Sequence, residues 1–278
     1  MSDFVDTVAR LMKSKRSVLC VGLDCALPRQ RNSNTISAEY LEGRDENEAR
    51  LQFCLDIVEK VKDYAVAGKP NQQYVLGFTK EQHRKLTEAI RRNQMVSILD
   101  YKLNDIGDTV ESGIFHLAEC GYDAITFNPL PGNLCEAAKL AHGAIRKLRG
   151  YSMGLIVLTL MSNPEARRYM QEATLGGKPL YIAIAEEVRE CEADGCVVGA
   201  TGHVTEENVE QIRSIVGKGV VFLVPGVGTQ KGDPEKIIRA GGKNILLNVG
   251  RDIIYSRSPM EKAKECRARF YEVMQRLP

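Results

Sequence analysis

Surplus charge is the first thing this sequence lacks. Its 278 residues carry 38 Lys and Arg against 36 Asp and Glu, a formal charge of +2. Binding nucleic acid by displacing counterions needs cations gathered on one face. The densest basic stretch, 13–16, is short, which argues against nucleic acid as the main partner. Long apolar runs are missing too. Those at 153–161 and 220–225 fall far short of the ~20 residues a membrane-spanning helix needs, so no membrane partner is expected. The start, Met1-Ser2-Asp3-Phe4, has an acid where a secretory signal would have a basic and then an apolar segment, and a cytoplasmic location is expected. The cysteines at 20, 25, 54, 120, 135, 191, 196 and 266 form no C-x-x-C pair and have no His at zinc spacing, so no metal site is expected. They read as reduced packing thiols, with Cys25 singled out because it adjoins a charged strand end. No Pro/Ser/Gly-rich linker divides the chain, which is read as one domain over 1–278.

What is present is a repeat of apolar and amphipathic segments. Eight β-branched apolar runs, at 17–24, 64–71, 95–103, 124–128, 153–160, 196–201, 220–226 and 244–250, predict short strands. Their apolar residues are continuous rather than alternating, as in strands buried on both faces of a parallel sheet. Helical spacing fills the gaps at 81–92, 109–120, 134–148, 180–194, 206–216 and 234–240. Eight strand–helix repeats in a chain of this length predict an α/β fold of the (β/α)8 TIM-barrel class. An amphipathic N-terminal helix near 3–13 precedes the first strand, and a polar segment, 26–45, separates that strand from its helix.

Active sites of such barrels are built at the C-terminal strand ends. Here those ends carry Asp24, then Lys69-Pro70-Asn71, Asp100-Tyr101-Lys102, Asn128, Thr159 with Ser162, Gln230, and Gly250-Arg251. Burying an unpaired charge costs several kcal/mol, so charges recurring at strand ends should be mutually paired or functional. Residues i and i+2 of a strand share a face about 6.6 Å apart, which aims Asp100 and Lys102 together into the mouth, with Asp105 just beyond. With Lys69 from the neighbouring strand they make an alternating Lys, Asp, Lys, Asp array. Spacing alone leaves open whether that array is a self-satisfied ion network or a reaction centre. The loops Pro225-Gly226-Val227-Gly228-Thr229-Gln230-Lys231-Gly232-Asp233 and Asn248-Val249-Gly250-Arg251 can cradle a phosphate on backbone N–H groups and the Arg251 fork, or can be a tight turn with a surface Arg. Neither a P-loop nor a G-x-G-x-x-G fingerprint is present. His83, His116, His142 and His203 lack partners at ligand spacing and read as structural. Gly195 and Gly199 read as packing positions, and Ser162 has no triad around it.

The pattern Asp100-x-Lys102-x-x-Asp105-Ile106-x-x-Thr109, with Gly22-Leu23-Asp24, Lys69-Pro70-Asn71, Pro225-Gly226-Val227-Gly228 and Gly250-Arg251, closely resembles the orotidine 5′-monophosphate decarboxylases, in their longer bacterial-type branch. The resemblance implies a cofactor-free, metal-free decarboxylation of orotidylate to uridine 5′-monophosphate and CO2 in pyrimidine biosynthesis, with Lys102 protonating C6. It implies Lys69, Asp100, Lys102 and Asp105 as the charged array, and a homodimer in which Asp105 and Thr109 complete the partner's site. Asp24 and Lys69 would hold the ribose, Ser162 the pyrimidine amide, and Gln230, Gly250 and Arg251 the phosphate, with Pro225 also lining the substrate. Asn71 and Thr159 match less well, and the 26–45 and 162–178 segments depart from a minimal pattern. Two alternatives remain: a sugar-phosphate lyase such as the hexulose-phosphate synthases and keto-gulonate phosphate decarboxylases, which share the Asp-x-Lys-x-x-Asp core and use a divalent metal, or a nucleotide-binding protein without chemistry.

Overall fold

Eight parallel strands close on themselves in the computed structural model, which describes residues 3–228 and 232–277. They are β1 Leu19–Leu23, β2 Ala67–Pro70, β3 Val96–Leu103, β4 Ala124–Phe127, β5 Gly154–Leu160, β6 Gly195–Val198, β7 Val221–Val224 and β8 Ile245–Val249. Each strand pairs with its neighbours in sequence, and β1 meets β8 through Leu19–Leu247, Cys20–Asn248 and Val21–Val249, which closes the ring. All eight apolar runs therefore carry a strand, each shorter than the run at one end or both. The sixth starts earlier than expected, at Gly195, and stops at Val198, leaving 199–201 beyond the sheet.

The continuous apolar runs hide a period of two. On β1, Leu19, Val21 and Leu23 join the layer between strands and helices, whereas Cys20 points into the barrel. On β5, Leu155 and Val157 face the helices while Ile156 and Leu158 face inward. Both faces are apolar because both are covered, which is why no alternation shows in the sequence. The amphipathic helix Asp3–Lys15 buries Phe4, Val5, Val8 and Leu11 and joins the inner cluster at the N-terminal ends of the strands. Its entry needs a residue without a side chain on β5: a Cβ on Gly154 would lie 2.6 Å from the Phe4 ring.

The expected helices are present with small shifts, and that over 180–194 ends at Glu190. Helix Lys80–Arg92 opens with a capping box in which Thr79 and Gln82 satisfy each other's backbone N–H. The stretch expected as one helix over 134–148 is continuous but widens to π-type bonding across Leu140–Ala144. The polar 26–45 segment holds only the short helix Ala38–Leu41, and Asp45 then caps Glu46–Val61 by accepting from the Asn47 and Glu48 amides. Within 162–178, Thr174–Leu175 pairs antiparallel with Lys178–Pro179 across a Gly176-Gly177 turn. Among the described residues no helix is long and apolar enough to cross a membrane.

One expectation about cysteine is corrected. Cys135 and Cys191 form a disulfide between the start of helix Leu134–Lys139 and the end of helix Leu180–Glu190. A separation of 56 residues conceals this contact, which exists only because successive barrel helices pack side by side. The other six are free thiols, and Cys20, Cys25, Cys54 and Cys196 are buried, as expected of packing residues. The Cys25 thiol bonds Cys54, whose own pKa that contact and burial push well above the usual range.

Candidate active site

The inward parity of each strand decides what reaches the mouth. Ala67 on β2, Ile98 on β3 and Ala124 on β4 face the interior, so two residues later Lys69, Asp100 and Thr126 do the same at the C-terminal ends. Lys69 Nζ donates to Asp100 Oδ2 at 2.8 Å, and Lys102 Nζ donates to Asp100 Oδ1 at 2.6 Å. One carboxylate thus bridges two ammonium groups, three members of the expected alternating array.

The pleat is not what brings Lys102 there. Pairing of β3 with β4 jumps from Leu99–Ile125 to Leu103–Phe127, and Lys102 has φ +59°, a left-handed conformation rare for a residue with a side chain. Regular alternation would have set the two side chains side by side at strand spacing; the irregularity swings Lys102 onto the Asp100 carboxylate instead. Thr126, which sequence reasoning missed, accepts the Lys102 backbone N–H at 2.9 Å and lies 3.2 Å from Asp100 Oδ1.

Electrostatics make this a centre of fixed charge. Burial opposes the Lys69 ammonium, but Asp100 and Asp24 outweigh it and raise its pKa above the ordinary lysine value. Burial likewise opposes the Asp100 carboxylate, yet Lys69 and Lys102 together hold it well below the usual carboxylate range. Asp100 is therefore ionised at neutral pH. The cavity beside it measures about 210 Å³. Lys69, Asp100, Lys102 and Thr126 form one wall, and Leu158, Met161, Val197, Leu223 and Pro225 form an apolar one.

Ser162 and Asn163 stand at the rim of this cavity. The Thr201 hydroxyl and the His203 ring hold the carbonyls of Ser162 and Met161, so His203 is structural, as expected. Gly199 is a packing position in the strict sense: a Cβ there would lie 2.6 Å from Ser162 Cα. Asp24 follows β1, and its Oδ1 is buried without a hydrogen-bond partner among the described residues. The loop around it is pinned by Tyr255, whose hydroxyl donates to the Asp24 carbonyl at 2.7 Å and accepts the Ala26 N–H at 2.8 Å. Arg31, from the 26–45 segment, lies against the Tyr74 and Tyr255 rings and reaches the same carbonyl at 3.4 Å. Sequence reading gave these two no role.

Gly250 sits beside Asp24, since a Cβ built on it would be 3.6 Å from Asp24 Oδ2. Arg251 opens the short helix that follows. Gln230 lies outside the described residues. Asp105 and Thr109 do not join the array within one chain. Both are exposed; Asp105 Oδ1 accepts the Ile106 N–H, and Asn133 donates to the Asp105 carbonyl at 3.1 Å. Asn71 caps the next short helix, and Thr159 is buried and bonded to the Val157 carbonyl, so neither lines the cavity.

The fold and these strand ends define a (β/α)8 barrel class that carries a lysine–aspartate–lysine bridge across adjacent strands at its mouth. Residues 17–266 match the model of the orotidine 5′-phosphate decarboxylase / HUMPS family. The chain belongs to this family. It is 31% identical over 280 residues to the orotidine 5′-phosphate decarboxylase of Ralstonia nicotianae, covering 95% of this chain and 94% of that one. The solved OMP decarboxylase of Leishmania donovani is 25% identical with a TM-score of 0.76, covering 99% of this chain and 100% of that one. The UMP synthase structure from the same organism is 27% identical with a TM-score of 0.74 over 99% of this chain, which spans only 57% of that longer protein.

Proposed function

We propose that this chain is a carboxy-lyase that decarboxylates orotidine 5′-phosphate to uridine 5′-monophosphate and CO2, a step of pyrimidine biosynthesis, acting as one domain in the cytoplasm without metal or organic cofactor. The observation that carries the reading is the ionised Asp100 held between two ammonium groups on one wall of a cavity whose other wall is apolar. Loss of CO2 from C6 leaves an electron pair in the ring plane with little resonance relief. An ammonium placed at that carbon stabilises the developing charge and then supplies the proton, and Lys102 is suited to both tasks. Asp100 fixes Lys102 and would repel a carboxylate bound beside it.

The remaining roles follow from placement. Asp24, with its unsatisfied buried oxygen, and Lys69 would hold the ribose hydroxyls. Ser162 at the rim would meet the pyrimidine amide, with Pro225 against the ring edge. Arg251, Gly250 and Gln230 would bind the phosphate, remote from C6, where binding energy can drive closure of the mouth. Asp105 and Thr109 face solvent next to exposed Ile106, which suits a homodimer in which they complete the other subunit's cavity.

A spectrophotometric assay with orotidylate, with and without chelator, tests the reading. Activity insensitive to chelator is expected; loss on chelation with turnover of a hexulose phosphate would favour a metal-dependent lyase. Lys102→Ala should lower kcat by more than about 10,000-fold, losing a general acid and a charge stabiliser together, while UMP still binds. Turnover by that variant near the parental rate would sink the mechanism.

A further inference from the structure

We propose that Thr126 is a positioning residue for the reaction, holding Lys102 and Asp100 in register through the change of charge that proton transfer brings. This deepens the decarboxylase reading and rests on it.

The directions of the two Thr126 hydrogen bonds follow from chemistry. A backbone amide only donates, so at 2.9 Å from the Lys102 nitrogen Thr126 Oγ1 must accept. Its own hydrogen is then free for Asp100 Oδ1 at 3.2 Å, and an ionised carboxylate only accepts. The same Oδ1 receives Lys102 Nζ at 2.6 Å. The links close a ring that starts at the Lys102 backbone, passes through a neutral hydroxyl and a carboxylate, and returns along the Lys102 side chain.

The need for such a ring lies in the backbone. Between the Leu99–Ile125 and Leu103–Phe127 pairs the β3–β4 ladder is broken, so the Lys102 N–H has lost its strand partner. A left-handed φ of +59° is unfavourable for a lysine and persists only where surroundings enforce it. Thr126 Oγ1 takes the place of the missing ladder acceptor. It stands on β4 with its side chain inward and 1% exposed, so water does not substitute for it readily.

Turnover shows what the second bond is for. In the resting site the Lys102 ammonium clamps Asp100 by charge. When an N–H proton of Lys102 passes to C6, the electron pair of the broken C–CO2 bond becomes the new C–H bond and a neutral amine is left behind. Its hold on Asp100 Oδ1 then comes from a neutral N–H donor, weaker than the ammonium-to-carboxylate pair it replaces. Lys69 still grips Oδ2 at 2.8 Å, and the Thr126 hydroxyl, whose donor strength does not depend on the protonation state of Lys102, still grips Oδ1. The carboxylate therefore keeps its orientation until solvent returns the proton to the amine.

The test compares Thr126→Val, which keeps the shape and removes both bonds, with Thr126→Ser, which keeps the hydroxyl. For each, kcat and KM for orotidylate and the Kd for UMP are measured, with far-UV circular dichroism as the check on folding. Thr126→Val should lose about 10- to 100-fold in kcat, the scale of a hydrogen bond to a charged group. Its KM and UMP affinity should stay within about threefold, and Thr126→Ser should recover kcat to within about threefold of the parent. If Thr126→Val does not fold, Thr126→Ala serves as the hydroxyl-free variant. Parental kcat without the hydroxyl, equal loss in the serine variant, or a change confined to KM would each overturn the proposal. A parent that does not convert orotidylate removes the decarboxylase reading along with it, whereas an active parent with an equally active valine variant removes only the role of Thr126.

Discussion

Arg251 forms no side-chain hydrogen bond or ion pair among the described residues, although it stands two residues beyond β8 at the rim that holds Asp24. A guanidinium without a protein partner there is available to a phosphate as a planar fork. Arg251→Ala should therefore raise KM for orotidylate about 10- to 100-fold, the scale of a charge-assisted bond, while turnover of the phosphate-free nucleoside stays unchanged. Steady-state kinetics on both substrates check this, and an equal loss on the nucleoside would remove Arg251 from phosphate binding. At this scale Lys69 and Asp100 were legible because the parity of a strand carries a side chain inward wherever the residue two before it is buried. Thr126 was not, since an inward threonine on a strand looks like an ordinary β-former. The approach of Lys102 to Asp100 was foreseen for an incomplete reason: alternation assumes a regular pleat, and the pleat fails at Lys102 itself.

Elements dock through contacts that sequence spacing does not display. Helix Lys80–Arg92 is anchored by buried His83, whose Nδ1 lies 2.7 Å from the Tyr122 hydroxyl. Burial pushes the His83 imidazole down to about 4, against an ordinary value near 6.5. Between those values the unfolded chain binds a proton that the folded chain refuses, so stability rises with pH across this window and is lost as pH falls through it. The expected loss from pH 6.5 to pH 4 is on the order of 2–3 kcal/mol from this residue. Urea midpoints measured against pH should show it, and His83→Gln should flatten that part of the profile; an unchanged slope would place the acid sensitivity elsewhere. Periodicity located the strands because eight apolar runs had to be buried on two faces, and their ends ran long because flanking apolar residues continue past the last ladder bond. The Cys135–Cys191 link stayed hidden for a related reason, as only the packing of two helices brings its halves together.

The barrel as a whole was legible from repeat count and length, whereas the place of Asp105 was not, because within one chain it stays exposed and apart from the Lys69–Asp100–Lys102 bridge. Asp105 lies in a surface that also exposes Ile106 at 64% and Leu130 at 65%. Large exposed apolar side chains next to a carboxylate that its own site does not reach suit a self-complementary interface. If each cavity takes Asp105 from the other subunit, an Asp105→Ala chain keeps an intact Lys102, and a Lys102→Ala chain keeps an intact Asp105. Mixing and re-equilibrating the two inactive variants should then restore roughly a quarter of parental activity, one good site in each mixed dimer. Absence of any recovery, with mixed dimers confirmed by native mass spectrometry, would place Asp105 within its own subunit's chemistry or outside it. The N-terminal helix adds a constraint on traffic. With Phe4 seated over Gly154 and the inner layer of Ile98, Ile156, Val197 and Leu223 filled above it, the barrel is packed shut at its N-terminal end among the described residues. If decarboxylation takes place at Lys102 as proposed, the CO2 released there has no path through that packed floor and must leave on the side from which the nucleotide entered.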